Sequence, residues 1–142
     1  MDLVERFVER ARAAAARVDR VQDDAAVKRL IAEDEAQRAA DGGAVGVAYA
    51  ALGIAETGAC VVDTIDESVR LATMLPETSV IVVKVADIVE DIVDAAPFLR
   101  ERQQGASYVS FITGPSRTAD IERVGAIGVH GPLELHVIVR EG

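Results

Sequence analysis

VIVVKVADIVEDIVDAAPFLRER, Val80 to Arg102, decides the fold class. Its opening run, Val80 to Val85, is apolar and β-branched apart from Lys84, which marks a strand buried on both faces. The remainder, Asp87 to Arg102, reads as a helix broken near Pro97, because proline lacks an amide donor and clashes with the preceding turn. A buried strand followed at once by a helix is the repeating unit of an α/β sheet. Outward from it, Ala59 to Asp63 and Tyr108 to Thr113 also look like buried parallel strands, Leu133 to Val139 like a last strand, and Asp66 to Leu75 like a helix. The predicted architecture is therefore α/β, a mainly parallel sheet with flanking helices, with ligands expected beyond the carboxyl ends of the strands.

Further toward the amino terminus, Leu3, Val4, Phe7, Val8, Ala11, Ala15 and Val18 recur at helical spacing, with charged residues opposite. Arg17 to Val21 alternates enough to be a strand. Asp23 or Asp24 then offers an N-cap for a second helix running to about Ala40, which Asp41, Gly42 and Gly43 end. The chain has 142 residues and a mass of 15.0 kDa. That size suits one domain, with a helical amino-terminal part over 1–41 and an α/β core over 45–140.

Composition narrows the function classes. Half of the residues are apolar and 27% are charged, a globular balance rather than a disordered one. There is no Trp, and only three Phe and two Tyr, which disfavours an aromatic cage or a base-stacking platform. The net charge of -9 repels phosphate backbones, so nucleic acid is not an expected partner. No uncharged stretch exceeds the 14 residues of Gly42 to Ala55, short of the roughly 20 that a membrane-spanning helix needs. Asp2, Glu5, Arg6 and Glu9 interrupt the place of a secretory signal, which predicts a cytoplasmic protein. The lone Cys60 agrees, and it offers no pair for zinc or an iron-sulfur cluster. No metal site is expected.

Three segments could carry chemistry. In SYVSFITGPSRTADIERV, Ser107 to Val124, an apolar strand leads through Gly114, Pro115 and Ser116 to an expected helix whose start holds Arg117 and Thr118. A helix start carries unpaired amides and partial positive charge, so this is a candidate anion cradle, with Arg117 adding a bidentate contact. The plainer alternative is a capped helix with Arg117 paired to Asp120 or Glu122, and spacing alone favours it. In GIAETGACVV, Gly53 to Val62, Glu56 stands in a nearly uncharged stretch, where desolvation would suit it to acid, base or nucleophile work. It could equally be a turn acid bonded to the amides of Thr57 and Gly58. Cys60 beside it reads as a small buried hydrophobe. In GVHGPLELHVIV, Gly128 to Val139, His130 lies in a glycine-framed loop and could bind or shuttle a proton, whereas His136 lies within the strand and reads as structural.

IAETGA, MLPETSVIVV, SYVSFITGPSRTADIE and GVHGPLELHVIV resemble, in the same order, the signature blocks of the LUD family, named for lactate utilisation, and are closest to its protein C type. The likeness covers Val45 to Val139 well and the helices from Leu3 to Ala40 more loosely. It implies a fold similar to the group of ribose-5-phosphate isomerase, glucosamine-6-phosphate deaminase and the coenzyme A transferases. It also implies participation in oxidising L-lactate to pyruvate beside iron-sulfur partner proteins, with no cofactor in this chain, since the protein C type lacks cluster cysteines. The sequence departs from the family pattern in two places. Family members are longer, with a stretch missing here around Asp41 to Val45, and Ala59 replaces the usual threonine after AETG.

The leading expectation is an accessory LUD protein that binds a small anionic metabolite through Thr57, Gly58, Gly114, Ser116, Arg117 and Thr118. The rival is an enzyme resembling a coenzyme A transferase or sugar phosphate isomerase, with Glu56 and His130 as catalytic residues. A structural interaction module is the third reading. Glu56, His130 and the Gly114 turn are expected to converge on one cavity, because parallel strands gather their carboxyl-end loops on one side. A small sheet with few large aromatics covers little of its own apolar surface, which predicts a homodimer.

Overall fold

The computed structural model describes residues 1–64, 67–74, 77–102, 109–115, 118–120 and 134–141. Helix α1 (Leu3–Ala13) starts where Asp2 accepts a hydrogen bond of 2.8 Å from the Glu5 amide, and it buries Phe7, Val8 and Ala11. It ends with Ala15 at φ 76°, a left-handed residue that lets the Ala16 amide reach back to the Ala11 carbonyl. The apolar series therefore outruns the helix, and Val18 belongs to strand β1 (Arg17–Val21). Helix α2 (Asp24–Asp41) is capped by Asp23 at one end and by left-handed Gly42 at the other, as the sequence predicts.

The chain continues through β2 (Val45–Tyr49), β3 (Leu52–Ile54), β4 (Ala59–Asp63), α3 (Glu67–Met74) and β5 (Thr78–Lys84). A 3-10 turn (Val85–Asp87) leads to β6 (Ile88–Val89), α4 (Ala96–Arg102), β7 (Val109–Ile112), β8 (Thr118–Asp120) and β9 (Glu134–Arg140). Among the described residues two sheets form. Sheet A has the order β1-β9-β5-β2 and is wholly parallel. Sheet B has the order β6-β3-β4-β7-β8 and is antiparallel except where β3 meets β6.

Three expectations are corrected here. Ala59 to Asp63 and the strand ending at Ile112 are antiparallel to each other, with β4 reversed against both its neighbours; the short turn from β3 leaves no room for the crossover that a parallel β3 to β4 pairing needs. The span from Asp87 is helical only over Ala96–Arg102, since Ile88 is buried as the partner of Gly53 in β3. Pro97 falls in the first turn of α4, where a missing amide costs nothing, so it opens a helix rather than breaking one. Thr118–Asp120, expected in the first turn of a helix after Gly114, is a strand, β8. β8 pairs back on β7, Ile112 with Thr118, and forms a hairpin.

Alternation along the strands divides the core. Ile81, Val83, Leu135, Val137 and Val139 face Phe7, Val8, Cys60, Val62 and Ile112, which fills the space between sheet A, α1 and sheet B. Val21, Val80, Val82 and Ile138 face the opposite way, under Val27, Leu30 and Ile31 of α2. β5 and β9 are thus covered on both faces, which is why Val80 to Val83 and Val137 to Val139 read as continuous apolar runs. Full burial of Phe7 or Ile81 contributes roughly 2 kcal/mol each. Among the described residues no helix is long and apolar enough to cross a membrane.

Candidate functional site

β2 and β5 leave sheet A at its carboxyl edge and continue into β3 and β6 of sheet B, and the AETG block follows β3. After β3, the Ala55 amide donates to the Val89 carbonyl and the Glu56 amide to the Glu90 carbonyl, at 2.8 and 2.9 Å, tying the turn to the end of β6. The Gly58 amide closes the turn on the Ile54 carbonyl at 2.8 Å, and Thr57 Oγ1 accepts from the Ala59 amide at 3.2 Å. Gly58 has φ 75°, and a Cβ there would stand 2.4 Å from the Ala11 nitrogen, so the turn is seated on the α1 backbone. This close approach requires glycine.

The Glu56 side chain is exposed rather than desolvated. It lines a cleft of about 240 Å³ with Arg6 and Arg10 of α1 and with Glu90 and Asp91. Arg6 pairs with Glu90 at 3.4 Å, while its Nε is buried and has no hydrogen-bond partner among the described residues. Two guanidiniums four residues apart on one helix can hold a carboxylate, and Glu56 can accept a hydrogen bond from a ligand hydroxyl. Three carboxylates outnumber the two guanidiniums, and one guanidinium is already engaged in the Arg6 to Glu90 pair.

Gly114 has φ 78°, and a Cβ would lie 2.3 Å from the Ala14 carbonyl oxygen. Its turn is seated on the end of α1, one helical turn beyond the seat of Gly58. Extending the Cys60 to Ile112 register by two residues sets Gly58 opposite Gly114. The AETG and TGP turns therefore meet at one end of sheet B. Because β8 is a strand, the helix-start argument for an anion cradle at Thr118 does not hold. Ser116, Arg117 and His130 lie outside the described residues, and so does the expected approach of His130. Cys60 is fully buried, and burial pushes its thiol up to about 12. It is a core residue, as read from the sequence.

A second polar cluster lies at the amino ends of sheet A, beneath the later half of α2, and sequence reasoning missed it. His136 is 0% exposed, with Nδ1 at 2.5 Å from Asp34 and Nε2 at 2.7 Å from Asp19. Arg17 bridges Asp34 and Glu134, at 2.6 Å each. Burial opposes the Arg17 charge, but its hydrogen bonds to Asp34 and Glu134 outweigh that and hold its pKa above the usual value. Arg38 donates to Thr78 Oγ1 at 2.6 Å and approaches Glu134 at 3.7 Å. The signal was there: Arg17 and Asp19 in β1, and Glu134 and His136 in β9, recur at period two. What was lacking was Asp34, which only helix packing brings over the sheet. Each acid at the centre of this cluster meets a cation or imidazole within it, and ligands of α/β sheets gather at the other end. Among the described residues no group of three or more His, Cys, Asp and Glu could hold a metal.

The LUD domain family matches residues 29–139. Lactate utilization protein C of Geobacillus thermodenitrificans is 37% identical over 105 residues, covering 71% of this chain and 44% of that protein. Lactate utilization protein C of Bacillus subtilis is 31% identical over 99 residues, covering 67% and 41%. The chain thus spans less than half the length of these relatives. A crystal structure of a DUF162 family protein from Deinococcus radiodurans is similar with a TM-score of 0.70 at 20% identity, covering 97% of this chain and 96% of that one, which shows a shared fold. With the family's match spanning most of the sequence, and relatives above 30% identity over two thirds of it, the chain belongs to the LUD domain family.

Proposed function

We propose that this chain is an accessory, cytoplasmic component of L-lactate utilisation that binds a small carboxylate anion and has no redox group of its own. The observation that supports it is the meeting of the AETG and TGP turns, two of the blocks that carry the family resemblance, on the end of α1 beside the Arg6 and Arg10 cleft. Arg10 and Arg6 hold the carboxylate and Glu56 accepts from the hydroxyl, with Arg117 as a further cation supplied by the TGPSR block. Oxidation of lactate to pyruvate removes two electrons and two protons. One cysteine cannot ligate a cluster, and the family resemblance implies iron-sulfur partner proteins as the acceptors of the electrons.

The test is a thermal-shift and calorimetry screen over L-lactate, pyruvate, sugar phosphates, nucleotides and coenzyme A, since binding to the native state raises Tm. Lactate or pyruvate is expected to raise Tm, with the shift lost in Arg10→Ala. No shift with any carboxylate, together with unchanged growth on L-lactate after deletion of the gene in its host, would refute the proposal. Exposure of Glu56 keeps one rival in view, a coenzyme A transferase-like enzyme, and a covalent adduct on Glu56 after incubation with acyl-coenzyme A, read by intact mass, would establish it instead.

A further inference from the structure

Among the described residues the four edges of the two sheets are not alike. β1 carries Arg17, Asp19 and Arg20, β6 is only two residues long, and β8 ends in Asp120. Charge and shortness are the usual protections of a strand edge against pairing with another chain. β2, the other edge of sheet A, has neither. Its sequence VGVAY lies inside Gly42 to Ala55, 14 residues without a charge in a chain whose net charge is -9. Val45, Gly46 and Val47 are half-buried, Tyr49 is 67% exposed, and α3, which packs on β2, leaves Leu71 45% exposed. A chain this acidic repels its own copies except where the approaching surfaces are neutral, and β2 is such a surface.

The pattern of β2 is also complementary to itself. Placing a two-fold axis at Val47 sets Val45 opposite Tyr49, Val47 opposite itself, and Gly46 opposite Ala48. Val45, Val47 and Tyr49 share the α2 side of the strand, so an apolar strip with a β-branched to aromatic pair at each end would form there. The small Gly46 and Ala48 on the other side add no bulk against the approach. We infer that β2 is a self-pairing edge, at which two copies of this chain join antiparallel through a two-fold axis at Val47 and merge their A sheets into one. Such an isologous contact needs no further partner.

Cysteine scanning tests this directly, because Cys60 is buried and leaves an introduced thiol as the reactive one. Residues directly opposed in an antiparallel pair stand at about the Cα separation that a disulfide spans. Under mild oxidation Val47→Cys is expected to cross-link to completion, whereas Ile92→Cys, exposed beyond β6, is expected not to. Light scattering of the unmodified protein should rise with concentration from 15.0 kDa toward twice that mass. Val47→Lys should hold it at the lower value with an unchanged circular dichroism spectrum. A mass of 15.0 kDa at every concentration overturns the inference. So does a dimer that persists in Val47→Lys while Val47→Cys cross-links no faster than Ile92→Cys. Neither outcome depends on anion binding at the Arg6 and Arg10 cleft.

Discussion

The two ends of this molecule use the same residue types to opposite effect. At the amino ends of sheet A, Asp34 is 3% exposed and His136 is fully covered, and their polar atoms are answered by Asp19, Arg17 and one another. Beyond the carboxyl ends, Glu56 is exposed, and Arg6, Arg10, Glu90 and Asp91 share an open cleft with it. Burial makes the difference. A covered ion must be matched within the fold because desolvation is costly, so the first cluster is committed to holding α2 on the sheet. An exposed ion is matched by water, which a ligand can replace, so the second is free to bind.

If this contrast holds, His136→Ala is the most damaging single change, because it leaves Asp34 buried without its imidazole partner. A loss of about 3 to 5 kcal/mol is expected in chemical denaturation, with ligand affinity of the remaining folded protein unchanged. A loss below 1 kcal/mol would mean that the network is not structural.

The glycine seats come next. Gly58→Ala and Gly114→Ala would each force a Cβ to within 2.4 Å or less of the α1 segment in addition to a left-handed backbone, and each is expected to cost about 3 kcal/mol. Gly42→Ala is the control, since nothing lies within 4 Å of its Cβ, and should cost only about 1 kcal/mol. Equal losses at the three positions would show that the two turns are not seated on α1.

Cys60 sharpens the boundary between cleft and core, since it is two residues from Gly58 yet fully covered. The folded thiol holds its proton more tightly than the unfolded one, so its contribution to stability is complete below 9.0. That contribution is lost as pH climbs toward about 12. Stability of the native protein should therefore fall more steeply above pH 9.0 than that of Cys60→Ala, and a thiol reagent should label Cys60 only on unfolding. Rapid labelling of the native protein would place the thiol on the cleft side. Glu56→Gln is the mildest change. Its effect on stability should stay within about 0.5 kcal/mol, while calorimetry should show weaker lactate binding.

Much of this was legible in local sequence. The cap of α2 by Asp23 and its close at Gly42 follow from side-chain oxygen and from glycine's freedom at positive φ, and both are properties of a few adjacent residues. The buried strands at Val80 and Leu135 were visible because a strand covered on both faces is apolar at most positions, with His136 the exception in β9. The AETG and TGP blocks stood out by composition, and each borders a strand as expected.

What failed was whatever depended on a distant partner. Ile88 and Val89 sit in a helical pattern, yet Gly53 and Ile54 of β3 draw them into a strand, because pairing with an open sheet edge outweighs a helix preference of a few tenths of a kcal/mol per residue. Parallel and antiparallel strands can carry the same apolar run, so the direction of β4 and β7 was settled only by how β3, β4 and β7 assemble. Asp34 is an ordinary acid of a helix until α2 lies down across His136, 102 positions away. The sequence by itself determined the caps, the glycine turns and the strands buried on both faces, because those rest on neighbours along the chain. The tertiary structure alone decided the second sheet, the seating of both glycine turns on α1 and the buried charge network, because each is an energy shared between residues that only folding brings together.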